Sequence, residues 1–365
     1  RSGLRVLAVE QARYGTDTLS THALMRGGVL QLHRWGVLPR IEAVGTPRIT
    51  STSFHYGEEE IAIAIKPRYG IQGLYAPRRK VLDAILVDAA REAGVEVVHG
   101  VRVIDLMRSE DGRVVGAVLE EPGAGTVSVG AELVIGADGL RSKVAELVGA
   151  PKYRVGRNTS TFLYGYWSGL DLEENHWYYR PGVMGGAIPT NGGEVLVCAG
   201  APGSRFWNEI RFDLEGGFHR VLREVAPELS DALAGASRSG PVRGFPGEPG
   251  FFRRSAGPGW ALVGDAGYFR DPSTAHGITD AFRDAELLAR AAVQGTDRAL
   301  EEYERLRDSM AVGLFEASDI IAGHDRGMDE IKKVHLFMSD EMNREVAYLN
   351  GLDSEQPEAL TRRTA

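Results

Sequence analysis

Hydrophobic positions along the chain follow two different periods, and the points where the period changes mark its elements. Residues 78–93 place Val81, Leu82, Ile85, Leu86 and Ala89 on one stripe, the spacing of a helix with one buried face. Gly94 ends that helix, and the apolar run Val95–Val98 follows as a strand. The same reasoning predicts a helix over 23–38 and strands near 47–55 and 60–66. Between 101 and 130, short strands are separated by the turn signals Asp111-Gly112 and Pro122-Gly123. Two runs, Glu132–Ile135 and Trp260–Val263, are short, apolar and bounded by glycine, as buried parallel strands are. Residues 158–255 differ: strand-like, aromatic and rich in Gly-Pro turns, they predict a mostly antiparallel sheet with helices near 204–212 and 216–226. From Asp280 almost to residue 350 the pattern is helical, and the amphipathic stretches Leu300–Met310 and Ile331–Leu349 are expected to pack on the body. The last dozen residues are polar and expected to fray. The pattern is that of an α/β domain interrupted by a β-rich one, with a helical C-terminus.

Composition narrows what such a chain does. Its 365 residues are 43% hydrophobic and 25% charged, enough for a large core and incompatible with disorder as the main state. The 42 basic and 50 acidic residues give a net charge of −8, dispersed, which argues against a nucleic-acid face. No window approaches the roughly 20 apolar residues of a membrane span. One cysteine, Cys198, cannot form an internal disulfide, which points to a reducing, cytoplasmic setting. It also excludes a zinc ribbon and an iron–sulfur cluster. Cys198 lies among Leu196, Val197 and Ala199 and reads as a small core residue.

Candidate chemistry sits at the ends of strands. Leu4–Glu10 is a short apolar strand ending on an acid, and it looks like the second strand of a βαβ unit whose first strand and phosphate loop lie upstream. The segment Val134-Ile-Gly-Ala-Asp-Gly-Leu-Arg-Ser142 runs from strand through a glycine turn into a helix, with Asp138 placed to accept backbone amides and hold the loop. Val263-Gly-Asp-Ala266 again delivers an acid, Asp265, at the carboxyl end of a strand, where open α/β sheets bind ligands. Pro272 and Gly277–Thr279 follow, the latter opening a helix whose free amides suit an electron-rich edge. Arg26, Arg78 and Arg79 are cations able to pair a diphosphate.

Taken in order over residues 1–300, these segments resemble the FAD-dependent aromatic hydroxylases (group A flavoprotein monooxygenases). The resemblance implies a discontinuous FAD/NAD(P)-binding Rossmann-like domain (1–46, 71–157 and 256–300), interrupted by a β-sheet-rich substrate domain (47–70 and 158–255). C-terminal helices (301–352) and a flexible tail (353–365) complete it. It implies that Glu10 binds the adenosine ribose, that Arg26 and Arg79 lie along the diphosphate, and that Val103 offers backbone to the adenine. Asp138 and Gly139 would contact flavin and nicotinamide, Asp265 the ribitol or diphosphate, Pro272 the ring, and Gly277, Ile278 and Thr279 its pyrimidine edge. The implied reaction uses NAD(P)H and O₂ to hydroxylate or epoxidise an apolar or aromatic small molecule through a flavin hydroperoxide. Phe162, Tyr164, Tyr166, Trp167, Trp177, Tyr178 and Tyr179 are candidates for the substrate wall. No catalytic base stands out; His276 lies nearest the expected ring, with Tyr268 and His22 as further candidates.

The chain departs from the family in three places. The N-terminal strand and Gly-x-Gly-x-x-Gly loop are not seen, Tyr268 replaces a histidine, and Ala275-His-Gly-Ile-Thr279 replaces Gly-Gln-Gly-x-Asn. A flavin-dependent reductase of isoprenoid-type double bonds shares the fold and is the alternative enzyme. A flavin-free scaffold or fragment is the alternative of another class. The Trp-x-Trp-x-Ile-Pro signature of flavin halogenases is reduced to Ile188-Pro189. A monomer or homodimer acting on a small molecule, without nucleic acid or an integral membrane segment, is expected.

Overall fold

The computed structural model describes residues 3–123 and 125–352; the tail expected at 353–365 lies outside them. The molecule is built on an eight-stranded sheet. Its strands run in the order Ser237–Arg238, Ser160–Ser168, Glu194–Pro202, Val183–Pro189, Asn175–Arg180, Ser51–Tyr56 and Glu59–Ala64, with Arg243–Phe245 also paired to Ser160–Ser168. All neighbours are antiparallel except Asn175–Arg180 and Ser51–Tyr56, which run parallel.

Period-two alternation gives this sheet two different faces. Leu163, Trp167, Val195 and Val197 point to one side, onto the helix Leu214–Val225. There Trp167 stacks on Phe218 with ring centroids 5.1 Å apart. Tyr164, Tyr166, Leu196 and Cys198 point to the other side, into the main core beneath. The two helices expected inside the β-rich block are three: Gly203–Asn208, Leu214–Val225 and Pro227–Ala232. Pro227 at the first position of the third explains the split, since proline starts a helix but cannot continue one.

The other half is assembled from small sheets. Leu7–Glu10 pairs in parallel with Glu96–His99, and Val134–Gly136 pairs in parallel with Trp260–Leu262. Among the described residues these two pairs are not hydrogen-bonded to each other, so Leu7–Glu10 and Val134–Gly136 each keep an open edge. Leu4, Val6, Leu7 and Ile135 are exposed on them. The run Glu132–Ile135 suits a buried parallel strand, yet Ile135 is exposed on the unpaired edge. A three-stranded meander, Arg102–Arg108, Val114–Glu121 and Gly125–Gly130, carries the anticipated Asp-Gly and Pro-Gly turns, with Gly112 and Gly123 both at positive φ.

Three long helices, Gly277–Gln294, Asp297–Ala322 and Met328–Gly351, close the molecule. Gly295 ends the first in the left-handed region, and the Thr296 hydroxyl caps the second by accepting from Ala299 N at 3.2 Å. Leu300, Tyr303, Ile331, Met338, Val346 and Leu349 are buried, so both amphipathic stretches pack on the body. No helix among the described residues is long and apolar enough to cross a membrane.

Candidate functional site

A narrow cleft lies where the large sheet faces the loop 271–279. Phe162, Trp177, Tyr179, Met184, Gly185 and Cys198 form its sheet side, with Thr21, Pro272, Ser273 and Ala275 opposite. The lining holds no charged side chain. Burial pushes the Cys198 thiol up to about 12, so it offers no nucleophile. Burial likewise pushes up the Tyr179 phenol. Of the seven candidate wall aromatics, Phe162, Trp177 and Tyr179 reach the cleft. Tyr164 and Tyr166 pack deeper in the same core, while Trp167 and Tyr178 turn to the helix-covered face.

The loop opposite is fixed at three points. Buried Asp271 accepts from Ser273 N at 3.0 Å and from Ser160 N at 2.6 Å, tying the loop to a sheet strand. Burial pushes the Asp271 carboxyl up to about 6 against those hydrogen bonds. The Thr274 hydroxyl meets Ser318 Oγ at 3.2 Å, on the second long helix. His276 Nε2 lies 2.9 Å from Glu345 Oε2, on the third. Ala275 sits at φ 50, a left-handed conformation that turns the chain into the helix Gly277–Gln294. The amides of Gly277, Ile278 and Thr279 open that helix and have no intrahelical partner.

A second helix start meets this one. Arg26-Gly27-Gly28 opens the helix Arg26–Arg34, and a Cβ on Gly28 would stand 2.7 Å from Thr279 Oγ1. Only glycine allows that approach. Arg26 Nη2 donates to the Lys66 carbonyl at 2.9 Å, while among the described residues buried Nη1 has no hydrogen-bond partner. The same holds for buried Thr279 Oγ1, Ser273 Oγ and His276 Nδ1.

Around this junction lie the strand-end acids. Asp138 does hold its loop: Oδ1 accepts from Ser142 Oγ at 2.5 Å and Oδ2 from Val144 N at 3.0 Å. Gly139 follows at φ 74. Gly136 is tightly enclosed, since a Cβ there would come within 2.7 Å of Leu262 Cδ2. Asp265, in the 3₁₀ turn 264–266, makes no hydrogen bond or ion pair among the described residues. Burial, with Asp280 and Asp284 nearby, pushes its carboxyl up to about 7. Glu10 ends its strand exposed, accepting from Ala12 N at 2.7 Å. Val103 is half-buried in the strand Arg102–Arg108.

The remaining candidates are already engaged. Arg79 is paired with Asp83 through Nε at 2.8 Å and Nη2 at 2.9 Å. Arg78 is clamped by Asp17 and Glu194 and lies 3.5 Å over the Tyr166 ring. His22 Nε2 meets the Tyr166 hydroxyl at 3.1 Å, and burial drives its imidazole down to about 3, so it is no base at neutral pH. Tyr268 is wholly buried against Phe252 and Phe315, its hydroxyl 3.4 Å from the Ala311 carbonyl, and it does not line the cleft. Tyr268, a further candidate base, is thus packed in a separate aromatic cluster with Phe252 and Phe315 rather than in the cleft lining.

Sequence reasoning missed the charged cluster beneath the loop. Arg270, Asp280, Arg283, Asp284 and Glu345 are all at most 5% exposed. Their signal is visible in retrospect: Glu345 falls on the apolar stripe of its helix, with Ile331, Met338 and Leu349.

The profile of the family described as "FAD binding domain" matches residues 1–318. The chain belongs to the FAD binding domain family. Among curated relatives of this FAD binding domain chain is digeranylgeranylglycerophospholipid reductase 1 of Methanococcoides burtonii, 28% identical over 244 residues, covering 63% of this chain and 57% of the relative. Squalene epoxidase erg1 of Schizosaccharomyces pombe is 26% identical over 331 residues, covering 85% and 68%. The chain thus spans little more than half the length of the reductase it matches. Of solved structures, the flavin-dependent brominase Bmp2 superposes with a TM-score of 0.78 at 20% identity, covering 96% of this chain and 88% of that one. PqsL of Pseudomonas aeruginosa, a probable FAD-dependent monooxygenase, superposes with a TM-score of 0.75 at 20% identity, covering 92% and 93%. These two likenesses establish the fold.

The residues present fit FAD. Two helix N-termini converge, an arginine keeps a free buried N–H, a threonine hydroxyl is orphaned between them, and an unpartnered acid stands at the end of a strand. Buried polar groups left this way are costly unless a ligand satisfies them.

Proposed function

We propose that the chain is the body of an FAD-dependent monooxygenase that uses NAD(P)H and O₂ to hydroxylate or epoxidise a neutral apolar or aromatic small molecule. The observation that supports this best is the uncharged aromatic cleft set directly against the loop and helix start that suit a flavin ring. Bound FAD would supply the redox chemistry, hydride acceptance and oxygen activation.

The protein's own part is binding and exclusion. Arg26 pairs the diphosphate with its free Nη1, and Glu10 and Val103 serve the adenosine end. Asp265 takes the polyol, Pro272 flanks the ring, and the amides of Gly277, Ile278 and Thr279 stabilise charge at its pyrimidine edge. Asp138 and Gly139 shape the neighbouring loop; Arg79 joins only by leaving Asp83. Phe162, Trp177, Tyr179 and Met184 keep water from the reacting centre. None of the lining groups is a base in the neutral range, so a substrate here must react without deprotonation by the wall.

Reduction of isoprenoid-type double bonds is the second reading, favoured by the 28% identical reductases. Gas-controlled kinetics separate the two. With a neutral alkene or arene present, NAD(P)H and O₂ should disappear in equal amounts and the product should carry one oxygen atom from O₂. Anaerobic reduction of the alkene would sink the monooxygenase reading and leave the reductase.

A further inference from the structure

His276, Asp280 and Glu345 hold three ligand-type atoms within 4.8 Å of one another, the arrangement of a metal site. It is already filled by cations. Arg283 Nη1 lies 2.8 Å from Asp280 Oδ1 and 3.2 Å from Glu345 Oε1, and Arg270 Nε lies 2.8 Å from Asp280 Oδ2. A divalent ion would meet two guanidinium groups.

What the cluster does instead follows from where Glu345 stands. Its two oxygens reach two points on one helix: Oε2 takes His276 Nε2 at 2.9 Å, immediately before the first turn, and Oε1 takes Arg283 two turns later. A third element touches it as well, because a Cβ on Gly27 would lie 3.5 Å from Oε2. Burial opposes ionisation of this carboxyl, but His276, Arg283 and Arg270 outweigh it and hold it well below the usual range. Buried ion pairs are poor sources of net stability, and apolar residues of similar volume usually serve as well. Fixing one register is the better-attested use of such a group. Here the register is that of the Gly277–Thr279 amides against the Arg26–Gly28 helix start.

We propose that Glu345 is a positioning residue for the cofactor: acting through His276, it fixes the helix-start amides and so sets how strongly the chain favours reduced over oxidised FAD. This rests on FAD binding but on neither reading of the overall reaction. A carboxylate can accept from both neighbours at once; an amide at 345 removes that charge and could face both Arg283 and His276 only with the ring in the tautomer that accepts at Nε2.

The test is a dye-equilibrated reduction titration of the FAD-loaded full chain, with the unfolding transition recorded beside it. Glu345→Gln should weaken the preference for reduced FAD about tenfold, a shift of about 30 mV to more negative potential for a two-electron couple. In a His276→Ala background the same substitution should add no further shift, because the effect passes through that ring. Glu345→Asp, which keeps the charge but cannot span both donors, should shift the potential the same way and serves if the amide variant does not fold. A potential unchanged while the melting point falls would reduce Glu345 to a structural residue and overturn the proposal. So would an equal shift without His276. A wild-type chain that never acquires a flavin absorption band overturns the cofactor assignment itself, a distinct result.

Discussion

The two faces of the loop 271–279 treat buried polarity in opposite ways. Above it, the eight-stranded sheet buries mainly apolar and aromatic side chains with a few neutral polar ones, its backbone is paired strand to strand, and on its far face Trp167 stacks on Phe218 of the helix Leu214–Val225. Below it, charged side chains are buried nearly as deeply, and among the described residues Asp284 Oδ2, Arg270 Nη1 and Nη2 and the neighbouring Thr279 Oγ1 find no hydrogen-bond partner. A face built only for stability would resemble the first. The second keeps unspent hydrogen-bonding capacity, the mark of a surface shaped for something polar that binds.

Arg283→Ala tests that contrast most severely. It leaves Asp280, Asp284 and Glu345 buried without their cation and should cost about 3–5 kcal/mol in urea unfolding. Leu222→Ala, on the apolar side, should cost about 2–5 kcal/mol through cavity formation. Titration with FAD separates them: the leucine variant should bind as wild type does, and an equal loss of affinity in both would erase the distinction drawn here.

Asp265→Asn should move stability the other way. A carboxyl raised from 3.8 to about 7 on folding favours the native state fully at low pH, and that contribution is lost as pH rises through 7. Removing it should therefore stabilise the FAD-free chain at pH 8 by on the order of 1 kcal/mol, after discounting for partial exposure, while weakening FAD binding. Melting curves at pH 5 and pH 8 check this; a variant less stable at pH 8 would contradict it.

The smallest effect concerns the contact between sheet and third helix. His335 Nδ1 lies 2.7 Å from the Tyr56 hydroxyl, and burial drives its imidazole down to about 4. With the native value depressed, stability is lost as pH falls from 6.5 through 4. His335→Phe should flatten that part of the melting-point profile, and an unchanged acid slope would assign it to His22 and His324 instead.

Local chemistry made much of this legible. The helix Arg79–Glu92 follows its apolar stripe, and the turn at 136–142 follows its glycines and Asp138, because neighbours in sequence decide both. The pairing of Ser51–Tyr56 with Asn175–Arg180 does not, since no local period records which distant strand lies alongside. The clamp on His276 was hidden for the same reason, its partner lying 69 residues further on. A glutamate on an apolar stripe is a signal that something distant awaits it, without saying what.

The open edges of Leu7–Glu10 and Val134–Gly136 carry a practical consequence. Among the described residues each leaves a row of amides and carbonyls unpaired beside exposed Leu7 or Ile135, and such a rim accepts a further strand, whether from another segment or from another copy. Light scattering from this chain should climb with concentration, and a lysine in place of Ile135 should quiet it.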